Sequence, residues 1–105
     1  MGFSEEKRWL LVVLQAGEIV HDFRSLDSDK NWLSDGRLSV EEACALVALT
    51  RGDQSESKPH HERTDLMVWI FKPVLKERRW YIKFQRTAQG RAKFISFHPS
   101  EEKGQ

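Results

Sequence analysis

Arg79–Trp80–Tyr81–Ile82–Lys83–Phe84–Gln85 and Ala92–Lys93–Phe94–Ile95–Ser96–Phe97–His98 are the two stretches on which the reading of this chain turns. Apolar and polar residues alternate along them, the pattern of strands with one face in a core and the other toward solvent. Trp80, Ile82 and Phe84 point one way, and Tyr81, Lys83 and Gln85 the other. Thr87–Ala88–Gln89–Gly90 reads as a four-residue hairpin loop, with Gly90 free to take positive φ. Closing that loop with Arg86 opposite Arg91 sets Phe84 against Lys93, Ile82 against Ile95 and Trp80 against Phe97. The other face then carries Tyr81 and Lys83 beside Ser96 and His98. A phenol, an ammonium and an imidazole on one open face fit either a site or a solvated sheet surface.

Working outward, residues 66–71 (Leu-Met-Val-Trp-Ile-Phe) are apolar on both faces and predict a strand in mid-sheet, ended by Lys72 and Pro73. The polar stretch 53–65 reads as a loop in which Pro59 biases Lys58 toward an extended backbone. Further upstream, Ser39 and Glu42 form a capping box that opens a helix carrying Val40, Ala43, Cys44, Leu46, Val47 and Leu49. Residues 18–37 are turn-rich, with Phe23, Leu26, Trp32 and Leu33 to bury. An earlier helix is capped by Ser4, carries Glu5 and Glu6 in its first turn, shows the stripe Trp9, Leu10, Val13 and Leu14, and stops at Gly17. The expected fold is α+β: two N-terminal helices packed on one face of an antiparallel sheet of three or more strands. It spans residues 1–105 as a single domain with a loose tail from about residue 100.

Composition narrows the class. With 39% hydrophobic and 31% charged residues, and no apolar run near the roughly 18 residues of a membrane span, the chain reads as a soluble globular protein. One cysteine, Cys44, excludes an internal disulfide and suits the cytosol; in its apolar run it reads as a small hydrophobe. The net charge of +1 hides an asymmetry. Between residues 72 and 93 stand eight Lys or Arg against one acid, Glu77, while the other acids lie before residue 66 and in the tail. Such a basic half is a footprint for a polyanion, or simply solubilising charge on exposed strands.

Among motifs, His60, His61, Glu62 and His98 lack the spacing of a metal site, and no cofactor is expected. There is no phosphate-cradling glycine loop, no nucleophile elbow and no carboxylate pair. The four tryptophans fall on apolar stripes and read as core. What remains is Lys58, Tyr81 and His98, with Arg79, Lys83 and Arg91 nearby and His60 and His61 in the polar loop. Metal-free RNA cleavage needs this inventory: a base for the ribose 2′-hydroxyl, cations for charge gathering on phosphate, and an acid for the leaving 5′-oxygen.

Over residues 14–98 the chain resembles the MqsR family of type II toxins, within the RelE-like mRNA interferases. Gln15–Ala16–Gly17–Glu18–Ile19–Val20 is similar to the family's helix-ending segment, and Cys44–Ala45–Leu46–Val47–Ala48–Leu49 to its second helix. Phe71–Lys72–Pro73, Trp80–Tyr81–Ile82–Lys83 and Ile95–Ser96–Phe97–His98 resemble its core strands in order and spacing. The resemblance implies catalytic roles for Lys58, Tyr81 and His98, the last standing where the family usually has lysine. Val68 stands where the family has a glutamine, which puts substrate positioning in question. The resemblance also implies an mRNA target, a cognate antitoxin and a cytoplasmic bacterial or phage setting; relatives differ in whether they need a ribosome.

The leading expectation is therefore a metal-independent endoribonuclease toxin. Lys58 would stabilise phosphate charge or assist the base, Tyr81 would act as base or orient the 2′-hydroxyl, and His98 would be the acid. The first rival is a catalytically inactive relative that binds RNA or protein, and the second an adaptor that pairs through an edge strand.

Overall fold

Leu10, Val13 and Leu14, three and four residues apart, make the buried stripe of helix α1 (Phe3–Ala16). The computed structural model, which describes residues 2–21, 31–33, 36–59 and 67–100, ends α1 at Gly17, whose φ is +76°. The Glu18 amide donates to the Val13 carbonyl (2.9 Å), so the helix closes on a left-handed glycine. At its start, the N-cap is Gly2 rather than the expected Ser4, which already lies in the first turn. Glu6 does more than complement the helix dipole. It is 3% exposed and accepts from Arg86 Nη2 (3.0 Å) and Nε (3.3 Å), tying α1 to the sheet. The Arg86 guanidinium also lies 4.1 Å from the Trp9 ring centre.

Strand β1 (Ile19–His21) follows directly, so the two helices do not form an uninterrupted N-terminal pair. Helix α2 (Val40–Leu49) begins with the expected capping box: Glu42 N donates to Ser39 Oγ (3.0 Å) and Ser39 N to Glu42 Oε1 (2.9 Å). It leans chiefly on α1, while α1 meets the sheet itself through Phe3 on Phe71 (5.3 Å between ring centres) and Trp9 on Phe84 (6.5 Å). Of the residues expected to bury the connection between the helices, Leu33 is buried and Trp32 half-buried; Phe23 and Leu26 lie outside the described residues.

Strands β2 (Ser55–Pro59), β3 (Met67–Phe71), β4 (Val74–Leu75), β5 (Arg78–Arg86) and β6 (Ala92–Pro99) complete a sheet ordered β1-β6-β5-β3-β2, with β4 paired only to β5. Since β1 runs parallel to β6, with Ile19 beside Ala92, the sheet is mixed rather than antiparallel throughout. β2 was expected as loop. As an edge strand with mostly exposed residues it carries no apolar alternation to announce it. β3 does sit in mid-sheet, between β2 and β5; the expected Leu66 lies outside the described residues. Ser100 donates to the Arg79 carbonyl (2.7 Å), and the rest of the expected tail, 101–105, is likewise undescribed.

The β5–β6 register differs from the expected one. Phe84 faces Phe94, not Lys93, and Ile82 faces Phe97, not Ile95. Facing residues of an antiparallel pair share a face, so an apolar core requires Phe opposite Phe. Phe94 and Phe97 are both fully buried although an odd number of steps separates them. A β-bulge reconciles the two: Phe84 pairs Phe94, Lys83 pairs Ser96, and Ile95 is the extra residue. The loop is also one residue shorter than expected. Thr87 and Arg91 close it (2.8 Å), and Ala88, Gln89 and Gly90 (φ +79°) make a turn with Gly90 N on the Thr87 carbonyl (3.0 Å).

At the other end of β5, Lys76 (φ 53°) and Glu77 (φ 64°) join β4 to β5 by a two-residue turn that asks for left-handed backbone at both positions. Neither residue is suited to it. Glu77→Gly is expected to stabilise the fold by about 1 kcal/mol, seen as a higher urea midpoint at unchanged slope.

Candidate functional site

One face of the sheet lies on the helices; the other carries polar residues of β2, β5 and β6, with Val68 and Ile70 of β3 buried among them. Along β5 the residues that share this outer face are Arg79, Tyr81, Lys83 and Gln85. Tyr81 pairs directly with His98 across to β6, with ring centres 5.6 Å apart and planes tilted 34°. Lys83 pairs with Ser96. His98 Nδ1 lies 2.8 Å from the Pro99 carbonyl oxygen. A carbonyl only accepts, so Nδ1 carries the proton of that bond and Nε2 is the ring nitrogen left over from it.

Two neighbours on this face come from strands whose contribution was not anticipated. Lys72 continues the outward parity of β3 and bonds Glu56 of β2, Nζ to Oε2 at 3.1 Å. Both act on Tyr81: burial raises its phenol above the ordinary range, Lys72 draws it back, and Glu56 raises it further. The net direction is upward, so Tyr81 is a neutral phenol at physiological pH. Lys72 could have been found by extending the alternation of residues 66–71 one step; Glu56, on a polar edge strand, left no signal.

Tyr81 is the chain's one tyrosine, so its titration is directly visible as phenolate absorbance. It is expected to titrate above the usual phenol value of about 10. With the folded value above the unfolded one, its stabilisation is complete below that ordinary range and is lost as pH rises through the folded value. Tyr81→Phe should remove this part of the alkaline loss of stability, read as thermal midpoints between neutral and high pH.

Arg79 stands two residues from Tyr81, and its Nε is buried with no hydrogen-bond partner. An orphaned buried donor of this kind is rare in folded proteins. The remaining expected residues are placed elsewhere. Lys58 shares the outer face but sits beside Val68, which in turn pairs Gln85. Two strands across and four residues along put its Cα on the order of 16 Å from that of Tyr81. Arg91 lies at the hairpin loop, where Nε meets Glu18 Oε1 at 3.2 Å. His60 and His61 lie outside the described residues. Arg79, Tyr81, Lys83 and His98 are thus brought together; Lys58 and Arg91 are not among them.

Among the described residues no three of His, Cys, Asp and Glu are grouped to hold a metal. Cys44 is half-buried, and burial followed by the charge of Glu41 pushes its thiol up, away from the reactive thiolate. No described helix is long and apolar enough to cross a membrane.

The class this geometry defines is an α+β domain whose outer sheet face carries cations around a buried patch of Val68, Ile70 and Gln85. Compared with protein-family models, curated proteins and solved structures, the chain matches none.

Proposed function

We propose that this chain is a metal-independent endoribonuclease, the toxin of a type II toxin–antitoxin pair of the MqsR kind, cutting mRNA in the cytoplasm and held inactive by a cognate antitoxin. The observation that carries the reading is the facing pair Tyr81 and His98, with the orphaned Arg79 donor beside it and Lys83 on the same face. In the proposed reaction the ribose 2′-oxygen attacks the adjacent phosphorus, the bond from phosphorus to the 5′-oxygen breaks, and a 2′,3′-cyclic phosphate forms. Tyr81, held as a neutral phenol, orients the 2′-hydroxyl by hydrogen bonding rather than serving as a phenolate base; the hydroxyl proton passes to solvent. His98, its Nδ1–H anchored on Pro99, gives the Nε2 proton to the leaving 5′-oxygen. Arg79 and Lys83 offset the charge that builds on the phosphate. Lys58 is too distant to touch the reacting atoms and serves the bound strand instead.

A specific observation favours the rival reading of a catalytically silent RNA- or protein-binding module. Val68, where the resembled family carries a glutamine, is buried in the sheet and has no hydrogen-bonding group. Mixed-sequence RNA incubated with the folded protein in excess chelator, with and without ribosomes, separates the two. Cleavage that disappears in a Tyr81→Phe/His98→Ala double variant supports the nuclease. RNA retained without cleavage under both conditions supports the binding module.

A further inference from the structure

We propose that the same face carries a second nucleotide subsite, built by the row Lys58, Val68, Gln85 and Lys93, which selects the bound sequence at a distance from the Tyr81 and His98 pair. The inference rests on the reading of this face as an RNA surface. The register aligns the four residues across four adjacent strands: Lys58 beside Val68, Val68 beside Gln85, Gln85 beside Lys93. Gln85 is the unusual member. It is 8% exposed, yet among the described residues its amide makes no side-chain hydrogen bond. Other buried polar groups of the chain are engaged, Glu6 by Arg86 and Thr50 Oγ1 by the Leu46 carbonyl (2.8 Å). Among the described residues the one buried side-chain atom without a partner is Arg79 Nε, so the Gln85 amide, though its residue is mostly covered, keeps its polar atoms in reach of solvent and of a ligand.

The cations beside it share that character. Lys72, Arg86 and Arg91 are each bound to an acid, Glu56, Glu6 and Glu18. Among the described residues Lys58 and Lys93 have no acidic partner. An amide with both a donor and an acceptor, flanked on one side by a valine and on both by free ammonium groups, has the chemistry to read a base edge while the lysines hold the neighbouring phosphates. The row lies four residues along β5 from Tyr81, or ~13 Å, the length of about four stacked nucleotides at ~3.4 Å each and fewer when the strand is splayed. One single strand laid along the face therefore reaches both rows.

The test uses the full chain and uncleavable, fully 2′-O-methylated RNA oligonucleotides of graded length and varied sequence, with binding read by fluorescence anisotropy. Wild-type affinity is expected to rise steeply once the oligonucleotide is long enough to reach both rows. Lys58→Ala with Lys93→Ala should remove that rise and lower the slope of log affinity against log salt by about 1.4, or about 0.7 per lost phosphate contact. Gln85→Leu should leave the salt slope in place and reduce the spread of affinities between sequences by roughly tenfold. Unchanged length, salt and sequence dependence in both variants would overturn the subsite. A wild-type protein that shows these dependences but cuts no unmethylated RNA would leave the subsite standing and remove the nuclease reading alone.

Discussion

His98→Ala slows RNA cleavage by about 10²–10⁴-fold, the usual worth of a positioned proton donor, while the thermal midpoint stays close to that of the parent. The expectation follows from where the ring sits. His98 is half-buried on the outer face, and the one hydrogen bond described for its ring is to its neighbour's carbonyl, so truncation leaves the core untouched. What it removes is the imidazole facing Tyr81, whose Nε2 is the proposed proton donor. His98→Lys keeps a proton donor on a longer stem and should keep measurable cleavage, whereas His98→Phe keeps the ring area without a proton and should not. Equal rates for the alanine and parent proteins on the same RNA would take His98 out of the reaction.

The second large effect is on the fold. Phe84 is fully buried at the centre of the inner face, with Phe71 at 5.1 Å, Phe94 at 6.1 Å and Trp9 at 6.5 Å between ring centres. Phe84→Ala opens a cavity that aromatic neighbours anchored on three separate elements cannot collapse to fill, and costs about 3–5 kcal/mol. Against a total stability of roughly 5–15 kcal/mol that is a large share, expected as a fall in thermal midpoint of more than ~10 °C. Val12→Ala, on the 59% exposed side of α1, should change stability by no more than about 0.5 kcal/mol. Comparable losses at the two positions would contradict the assignment of the inner face as the core.

Much of that core was legible in the alternation of Trp80, Ile82 and Phe84, because a period of two sorts side chains by face whatever the partner strand. The register was less legible. Phe94 and Phe97 are an odd number of residues apart, and only a bulge at Ile95 lets both reach the core. β1 and β2 left little trace for a different reason: one has three residues and the other lies on a polar edge, so neither needs an apolar period. The parallel pairing of β1 with β6 joins residues more than seventy positions apart, beyond any local pattern.

The candidate site divides along the same line. Tyr81 and His98 were found on one face from parity alone, which survives an error of register when the bulge restores it. The distance of Lys58 depends on strand order, with β3 interposed between β2 and β5, and no local signal carries strand order. Gln85 passed unnoticed because a glutamine on the polar side of an alternating strand looks ordinary; its burial becomes evident only when its neighbours are in place.

The central claim is that the Tyr81 and His98 pair directs a ribose 2′-hydroxyl at its own phosphate. The most direct measurement compares two RNAs, in excess chelator, that differ by a single 2′-deoxynucleotide at a mapped cut site, and identifies the ends released. The account predicts 2′,3′-cyclic phosphate and 5′-hydroxyl ends from the all-ribose strand, and loss of that one cut in the deoxy-substituted strand with the other cuts intact. Persistence of the cut at the deoxy position, or 5′-phosphate ends, would contradict it.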